Sequence, residues 1–242
     1  MISKIVSLIA FVVMVVTNYL ANALPLNGKT TGELSVAYPN LFVPAGITFS
    51  IWGVIYLMLL IFIVLQFFQS NLDIVKAIGW VFAISCLFNA LWIFAWHYQM
   101  LPLSLIFMLG LLVSLIYIGI KLQPYSLSIT KASFGIYLGW VCIATIANVT
   151  ALLVSYKWGG WALLEQTWAI IMITVGAIIT LLVTVRFSNP FVGIAVIWAF
   201  LGIVIKQKGA HPAIVTAAII GIAVVGAVTI LSFVRAKGIA RV

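Results

Sequence analysis

The chain has 242 residues, of which 66% are hydrophobic and 6% are charged. A water-soluble fold of this composition would have to expose large apolar surfaces, which soluble monomers avoid. Twelve Lys and Arg residues against three Asp and Glu residues give a net charge of +9, but no basic run with interleaved aromatic residues is present that could follow a phosphate backbone. The composition therefore predicts an integral membrane protein, with the lipid bilayer and not nucleic acid as its partner.

Apolar stretches without charges recur along the whole chain, most of them long enough to cross a bilayer core of roughly 30 Å. They comprise residues 5–24, 47–68, 77–96, 101–120, 132–156, 166–185, 191–205 and 212–234. The seventh is the shortest. The sequence predicts an all-α integral membrane fold of about eight transmembrane helices.

The distribution of basic residues predicts the orientation. With the amino terminus inside, eight face the cytoplasm: Lys4, Lys76, Lys121, Lys131, Arg186, Arg235, Lys237 and Arg241. Four face outward: Lys29, Lys157, Lys206 and Lys208. Because basic residues collect on the cytoplasmic side, we expect both termini to be cytoplasmic, in a plasma membrane of the bacterial type.

Two features of the amino-terminal region allow alternatives. The first span resembles a signal peptide, since Lys4 precedes an apolar core and residues 21–23 read Ala-Asn-Ala, and its removal would leave seven spans. Residues 25–46 form the one long connection. A loop of this length between membrane helices is either a lid or a plain connector.

No Asp, Glu, Lys or Arg lies near the middle of any predicted span. Proton relays, voltage sensors and ion-coupled carriers ordinarily need such a residue, so these mechanisms are disfavoured. His97 and His211 stand near span ends without a Cys, Asp or Glu at metal-ligand spacing. We find no catalytic constellation and expect neither an enzyme, nor a metal site, nor a required cofactor.

Aromatic and amide residues remain as candidates. Residues that share helix faces are Trp52 and Tyr56, then Asn89, Trp92 and Trp96, then Tyr137, Trp140, Ala144 and Asn148. In the expected orientation most of them fall in the outer half of the bilayer, beneath the long loop. They could form a pocket for a flat or amphipathic molecule. By itself the pattern favours helix packing and interfacial belts over a pocket.

Three motifs change that balance. Residues 137–148 read YLGWVCIATIAN, residues 89–92 read NALW, and residues 49–56 read FSIWGVIY. In this order, on separate helices, they resemble the fifth-, third- and second-helix motifs of the TspO/MBR family, the tryptophan-rich sensory or translocator proteins. The resemblance covers residues 1 to about 156.

The resemblance implies a TspO-like five-helix bundle over residues 1–156, followed by a three-helix extension over residues 157–242. It also implies a pocket under the first loop that binds tetrapyrroles, sterol-like lipids or synthetic aromatic ligands, and the homodimer that is usual in the family. The residues carried over to that pocket are Trp52, Tyr56, Asn89, Trp92, Trp140, Ala144 and Asn148. Trp96 stands where the family more often has Phe, and Tyr137 opens the fifth-helix motif.

One departure bears on the ligand. The family's Pro-Pro-x-Trp before its second helix is here Val43-Pro44-Ala45-Gly46, so Gly46 replaces a Trp that would reach a ligand from the loop. Of the implied ligands, tetrapyrroles are the ones that this change disfavours most.

The leading hypothesis is a membrane receptor, sensor or carrier for a hydrophobic small molecule. A transporter with a moving element in the last three spans, an enzyme acting on a lipid or tetrapyrrole, and a partner of another membrane protein are the alternatives.

Overall fold

A computed structural model describes residues 1–23, 26–68 and 72–239. The described part of the chain forms α-helices joined by short turns, without strands. The helices are α1 Ile2–Ala23, α2 Thr31–Ala37, α3 Ile51–Leu65, α4 Leu72–His97, α5 Leu101–Leu122, α6 Ile129–Ser155, α7 Glu165–Arg186, α8 Phe191–Gln207 and α9 Pro212–Ile239. The predicted all-α membrane fold is confirmed.

Seven segments in the described residues are long and apolar enough to cross a membrane, and the second of them joins the 3-10 turn Gly46–Ser50 to α3. The remaining apolar helix, α8, has 17 residues. At 1.5 Å per residue it is about 25 Å long, slightly less than a bilayer core. Helix α8 corresponds to the seventh predicted span. Its short length is the reason why seven segments, and not the eight predicted, are long enough to cross a membrane.

The centre of the bundle is α6. It packs against α3 and α5 on one side and against α7 and α8 on the other. Helices α1 and α4 complete the first group, and α9 packs on α7 and α8 to complete the second. Because α6 meets neighbours on both sides, most of its side chains are buried, including Tyr137 and Trp140.

Glycines bring α8 close to its neighbours. A Cβ atom added at Gly139 of α6 would collide with the backbone oxygen of Val192 on α8. One added at Gly193 of α8 would collide with the hydroxyl of Thr229 on α9. Small residues that allow such approach are a common basis of helix association in membranes. They fix α8 between α6 and α9.

The bundle has two chemically different ends. The end where α1 finishes and α3 begins, called the loop end, carries Lys29, Lys157, Lys206 and Lys208. The opposite end, called the basic end, carries Lys4, Lys76, Lys121, Lys131, Arg186 and Arg235. At this end the Gln66 amide donates to the Lys4 backbone oxygen (3.2 Å), and Arg186 donates to the Gln123 side-chain oxygen (3.2 Å). Arg241 and the side chain of Lys237, also expected here, lie outside the described residues.

The long loop contains α2, a helix that the sequence analysis did not predict. Thr30 and Glu33 form a capping box at its start, in which the Thr30 backbone N–H donates to the Glu33 carboxylate at 2.7 Å. The Glu33 backbone N–H in turn donates to the Thr30 hydroxyl at 3.3 Å. This reciprocal pair satisfies two N–H groups that a helix start would otherwise leave without partners.

Candidate functional site

A cavity lies beneath the long loop at the loop end. We call it the Trp cavity, after the four tryptophans that line it: Trp52, Trp92, Trp96 and Trp140. Ala144 and Asn148 of α6 and Thr31, Ser35, Val43 and Pro44 of the loop also contribute to its walls. Its volume is about 50 Å³, room for a few water molecules.

Trp52 of α3 is the hub of the aromatic wall. Its ring centroid lies 5.5 Å from that of Trp92 and 6.2 Å from that of Trp140. Tyr56 stacks on it at 5.7 Å, and Phe49 meets Trp140 edge to face at 6.0 Å. Ring pairs in edge-to-face or offset arrangements at these distances stabilise the fold by more than the burial of their apolar surface alone. The rings therefore form one continuous aromatic surface.

Indole nitrogens are the polar atoms of this wall. The Nε1 atoms of Trp92, Trp96 and Trp140 are buried and have no hydrogen-bond partner among the described residues. An indole N–H can only donate, so it needs an acceptor. A buried donor without an acceptor costs about 1–3 kcal/mol. Three such donors on residues lining one cavity suit an occupant with acceptor atoms, either water or a ligand.

Six of the nine predicted site residues line the Trp cavity: Trp52, Trp92, Trp96, Trp140, Ala144 and Asn148. Asn148 makes long hydrogen bonds with Ser104 of α5, at 3.3 and 3.4 Å. The amide therefore has a protein neighbour while remaining on the cavity wall.

Tyr56, Asn89 and Tyr137 do not line the cavity. Asn89 accepts from the Asn18 amide at 2.7 Å and donates to the Tyr137 hydroxyl at 2.8 Å. Asn18 also donates to the backbone oxygen of Met14 at 2.9 Å. These bonds join α1, α4 and α6 inside the bundle, where an amide persists only with partners. The packing alternative describes Asn89 and Tyr137 well.

The first half of the loop packs on the end of α4. Leu34 of α2 is fully buried against Trp96, Leu101 and Ala151. The Thr31 hydroxyl lies 3.1 Å from Nε2 of His97, and the Asn27 amide donates to the His97 backbone oxygen at 3.2 Å. These contacts hold α2 over the cavity.

The second half of the loop is held by α8. The backbone N–H of Ala45 donates to the Gly202 oxygen at 3.0 Å. The Trp198 indole donates to the Thr48 backbone oxygen at 2.9 Å, and the Gln207 amide donates to the Leu41 backbone oxygen at 2.8 Å. Although α8 lies outside residues 1–156, to which the recognised motifs belong, it fixes part of the cavity cover.

Sequence reasoning expected the pocket to lie under the loop, but it named none of the loop residues that line the cavity and missed the contribution of α8 to the loop. The Thr30-to-Glu33 spacing is a capping-box pattern and could have indicated α2. Trp198 stands in an apolar helix without a local signal that distinguishes it from a lipid-facing residue. Gly46 is exposed and has nothing within 4 Å of a Cβ built upon it, so this position leaves open space beside the cover.

Comparisons with known proteins gave one finding about the whole chain. A family model described as TSPO-like protein matches residues 4–231. The match extends through α7 and α8 into α9, beyond residues 1–156, to which the recognised motifs belong. No curated protein and no solved structure matches the chain.

Proposed function

The chain belongs to the TSPO-like protein family, and we propose that it is a membrane receptor or carrier that binds a hydrophobic, partly polar small molecule in the Trp cavity. The observation that carries this proposal is the set of three buried indole N–H groups on residues lining one cavity. Packing alone gives these donors no acceptor among the described residues. A bound molecule with an acceptor oxygen would supply one.

The wall chemistry defines the ligand class. Stacked and edge-on rings favour a flat apolar body, and the indole donors favour a carbonyl, carboxylate or ether oxygen attached to it. Tetrapyrroles and sterol-like lipids both have this character. With Gly46 where the family has Trp, the cover offers no ring at that position, so we expect a sterol-like or compact aromatic ligand to bind more tightly than a tetrapyrrole.

Ligand binding would require the cover to move. Sites for drug-sized ligands are typically 300–1,000 Å³, whereas the Trp cavity has about 50 Å³. The cover is the loop between α1 and α3, and its second half is tied to α8 by hydrogen bonds from Trp198 and Gln207. Opening would break some of these bonds. The structure therefore represents a closed state in this proposal, and the loop serves as its lid.

The same bonds favour a second candidate. In a transporter, α7–α9 would move relative to the first group and open the cover through α8. We expect such transport to proceed without ion coupling, because no Asp, Glu, Lys or Arg lies near the middle of a predicted span. In either case we propose that the loop end faces outward and the basic end faces the cytoplasm.

The homodimer implied by the family remains a proposal to be checked by mass measurement in detergent.

The binding proposal is tested by titrating the purified chain with protoporphyrin IX and with cholesterol while following Trp emission. We expect Trp140→Ala and Asn148→Ala to raise the half-saturation concentration about tenfold, as expected for loss of one well-made contact. Trp80→Ala is the matched control, since Trp80 is 56% exposed on α4 and does not line the cavity.

Two results would contradict binding. One is indifference of the native chain and both variants to every ligand. The other is a Trp80→Ala effect as large as that of Trp140→Ala. Transport is tested separately in liposomes, where flux no faster than that of empty vesicles would exclude the transporter candidate and leave the receptor.

A further inference from the structure

Another cavity, with several polar side chains on its walls, lies at the basic end, opposite the Trp cavity. It has a volume of about 360 Å³ and lies between the α5–α6 connection, the start of α6 and the ends of α7 and α9. We call it the basic-end cavity. Its polar walls include Lys131, Arg235, Thr184, Ser126, Ser188 and Ser232. Basic pockets between membrane helices near an interface are typical binding places for anionic headgroups.

Lys131 is the buried charge of this cavity. It is only 3% exposed, and its ammonium group donates to the backbone oxygens of Gln123 (3.1 Å) and Tyr125 (2.8 Å). An ammonium group has three N–H donors, so one remains beyond these two bonds. Carbonyl oxygens hold the side chain in place but do not neutralise its charge. A buried charge of this kind is stabilised by an anion.

Thr184 supplies a second, independent observation about this cavity. Thr184 is 1% exposed, and its hydroxyl oxygen is buried without a hydrogen-bond partner among the described residues. Threonine on a helix commonly bonds a carbonyl one turn earlier, as Thr180 does to Gly176 at 2.6 Å. Thr184 lacks that bond and lines the cavity. Its O–H therefore lacks an acceptor among the described residues, and a ligand at this wall of the cavity would supply one.

The surrounding charge is positive. Arg235 lines the cavity, and Arg186 lies beside it, bonded to the neutral Gln123 side chain. The start of α6 adds the partial positive charge of a helix amino terminus, while the carboxyl ends of α5, α7 and α9 oppose it with partial negative charges. Full charges on Lys131 and Arg235 therefore determine the sign.

The described residues that line this cavity include no acidic side chain. The chain has three acidic residues. Glu33 and Glu165 lie at the loop end, and Asp73, at the start of α4, is not among the residues that line the cavity. The cavity thus combines two cationic side chains with several hydroxyl groups.

We propose that the basic-end cavity binds a phosphate group, carried by an anionic lipid headgroup or by a small solute. Phosphate presents several strong acceptor oxygens at once, which matches the ammonium, guanidinium and hydroxyl donors of these walls. Its position at a helix-bundle end gives access both to headgroups and to water. This site is separate from the Trp cavity, and the inference does not depend on the proposed ligand there.

The test follows the thermal unfolding midpoint of the detergent-purified chain during titration with dihexanoylphosphatidylglycerol, sodium phosphate or dihexanoylphosphatidylcholine. We expect the phosphatidylglycerol to raise the midpoint. Arg235→Gln and Thr184→Val should each raise the concentration for half of that shift about tenfold, the usual effect of losing a hydrogen bond to a charged group. Lys208→Gln, which removes a loop-end charge, is the matched control and should respond like the native chain.

Thr184→Val separates binding from folding. Because it replaces an unpaired hydroxyl by a methyl group of similar shape, we expect the midpoint without ligand to stay equal or rise while the response to ligand weakens. Stabilisation by sodium phosphate with the same variant dependence would identify a free phosphate-bearing solute as the source. Stabilisation by phosphatidylglycerol alone would identify a lipid.

The proposal is overturned if Arg235→Gln and Thr184→Val respond like the native chain, or if none of the probes shifts the midpoint. It is also overturned if the zwitterionic lipid acts as strongly as the anionic one.

Discussion

The indole N–H of Trp198 donates to the backbone oxygen of Thr48 across 2.9 Å, joining α8 to the turn that precedes α3. These residues are 150 positions apart in the sequence. The bond links the last group of helices to the cover of the Trp cavity. Any outward movement of that cover must break it or carry α8 along.

Replacing Trp198 by Phe should loosen the cover while keeping an aromatic side chain at this position. Loss of one hydrogen bond costs about 1 kcal/mol, which corresponds to roughly a fivefold increase in opening. We expect amide hydrogen exchange in residues 43–49 to accelerate by about that factor. Trp80→Phe, at an exposed position of α4, should leave exchange in this segment unchanged. Equal exchange in Trp198→Phe and the native chain would show that the bond does not restrain the cover.

Gly139 should be intolerant of a side chain. A methyl group there would meet the backbone oxygen of Val192 and lie 3.1 Å from the Ala195 side chain. A backbone atom cannot rotate away, so α6 and α8 must separate, at a cost of about 1–3 kcal/mol. We expect Gly139→Ala to lower the thermal midpoint in detergent.

The control for Gly139 is Gly53→Ala on α3, where nothing lies within 4 Å of an added Cβ. Alanine favours helix over glycine by roughly 1 kcal/mol, so this midpoint should stay equal or rise. A Gly139→Ala midpoint as high as that of Gly53→Ala would contradict the close packing of α6 on α8.

Asn89 should matter for stability more than for ligand binding. Asn89→Ala removes the acceptor for Asn18 and the donor for Tyr137, and we expect a loss of about 1–2 kcal/mol. A double-mutant cycle with Tyr137→Phe should give a coupling of about 0.6 kcal/mol, typical of hydrogen bonds between membrane helices. Tyr117→Phe, at an exposed tyrosine of α5, is the control and should not couple. Additive effects of Asn89→Ala and Tyr137→Phe would exclude the bond.

Acid should loosen α2 through Glu33. Hydrogen bonds from the Thr30 backbone and side chain lower the pKa of the Glu33 carboxyl below its ordinary value of 4.5. A carboxyl group whose pKa is lower in the folded state than in the unfolded state stabilises the helix at pH values above the unfolded-state pKa. This stabilisation is lost as the pH falls through the folded-state pKa. We expect exchange in residues 31–37, corrected for the intrinsic pH effect, to accelerate below pH 4.5. In Glu33→Gln, which cannot ionise, that acceleration should be absent; its persistence would point to another group.

The membrane spans were predictable from sequence because crossing a bilayer is a local property. A long uncharged apolar stretch must form a helix there, since lipid offers its backbone no hydrogen-bond partners. Predicted and observed bounds accordingly agree closely, as for residues 101–120 against Leu101–Leu122 and residues 212–234 against Pro212–Ile239. The motifs around Trp52, Asn89 and Trp140 likewise sufficed for the family, which the match to residues 4–231 confirms.

Only the tertiary structure decided which faces meet. In a soluble helix the apolar stripe identifies the buried side, whereas a membrane span is apolar on its lipid and protein faces alike. Spacing therefore could not separate Trp92, on the cavity wall, from Asn89 and Tyr137 in the inner network. Nor could it show that Trp198 holds the cover. These relationships depend on contacts between distant segments, and no local pattern encodes them.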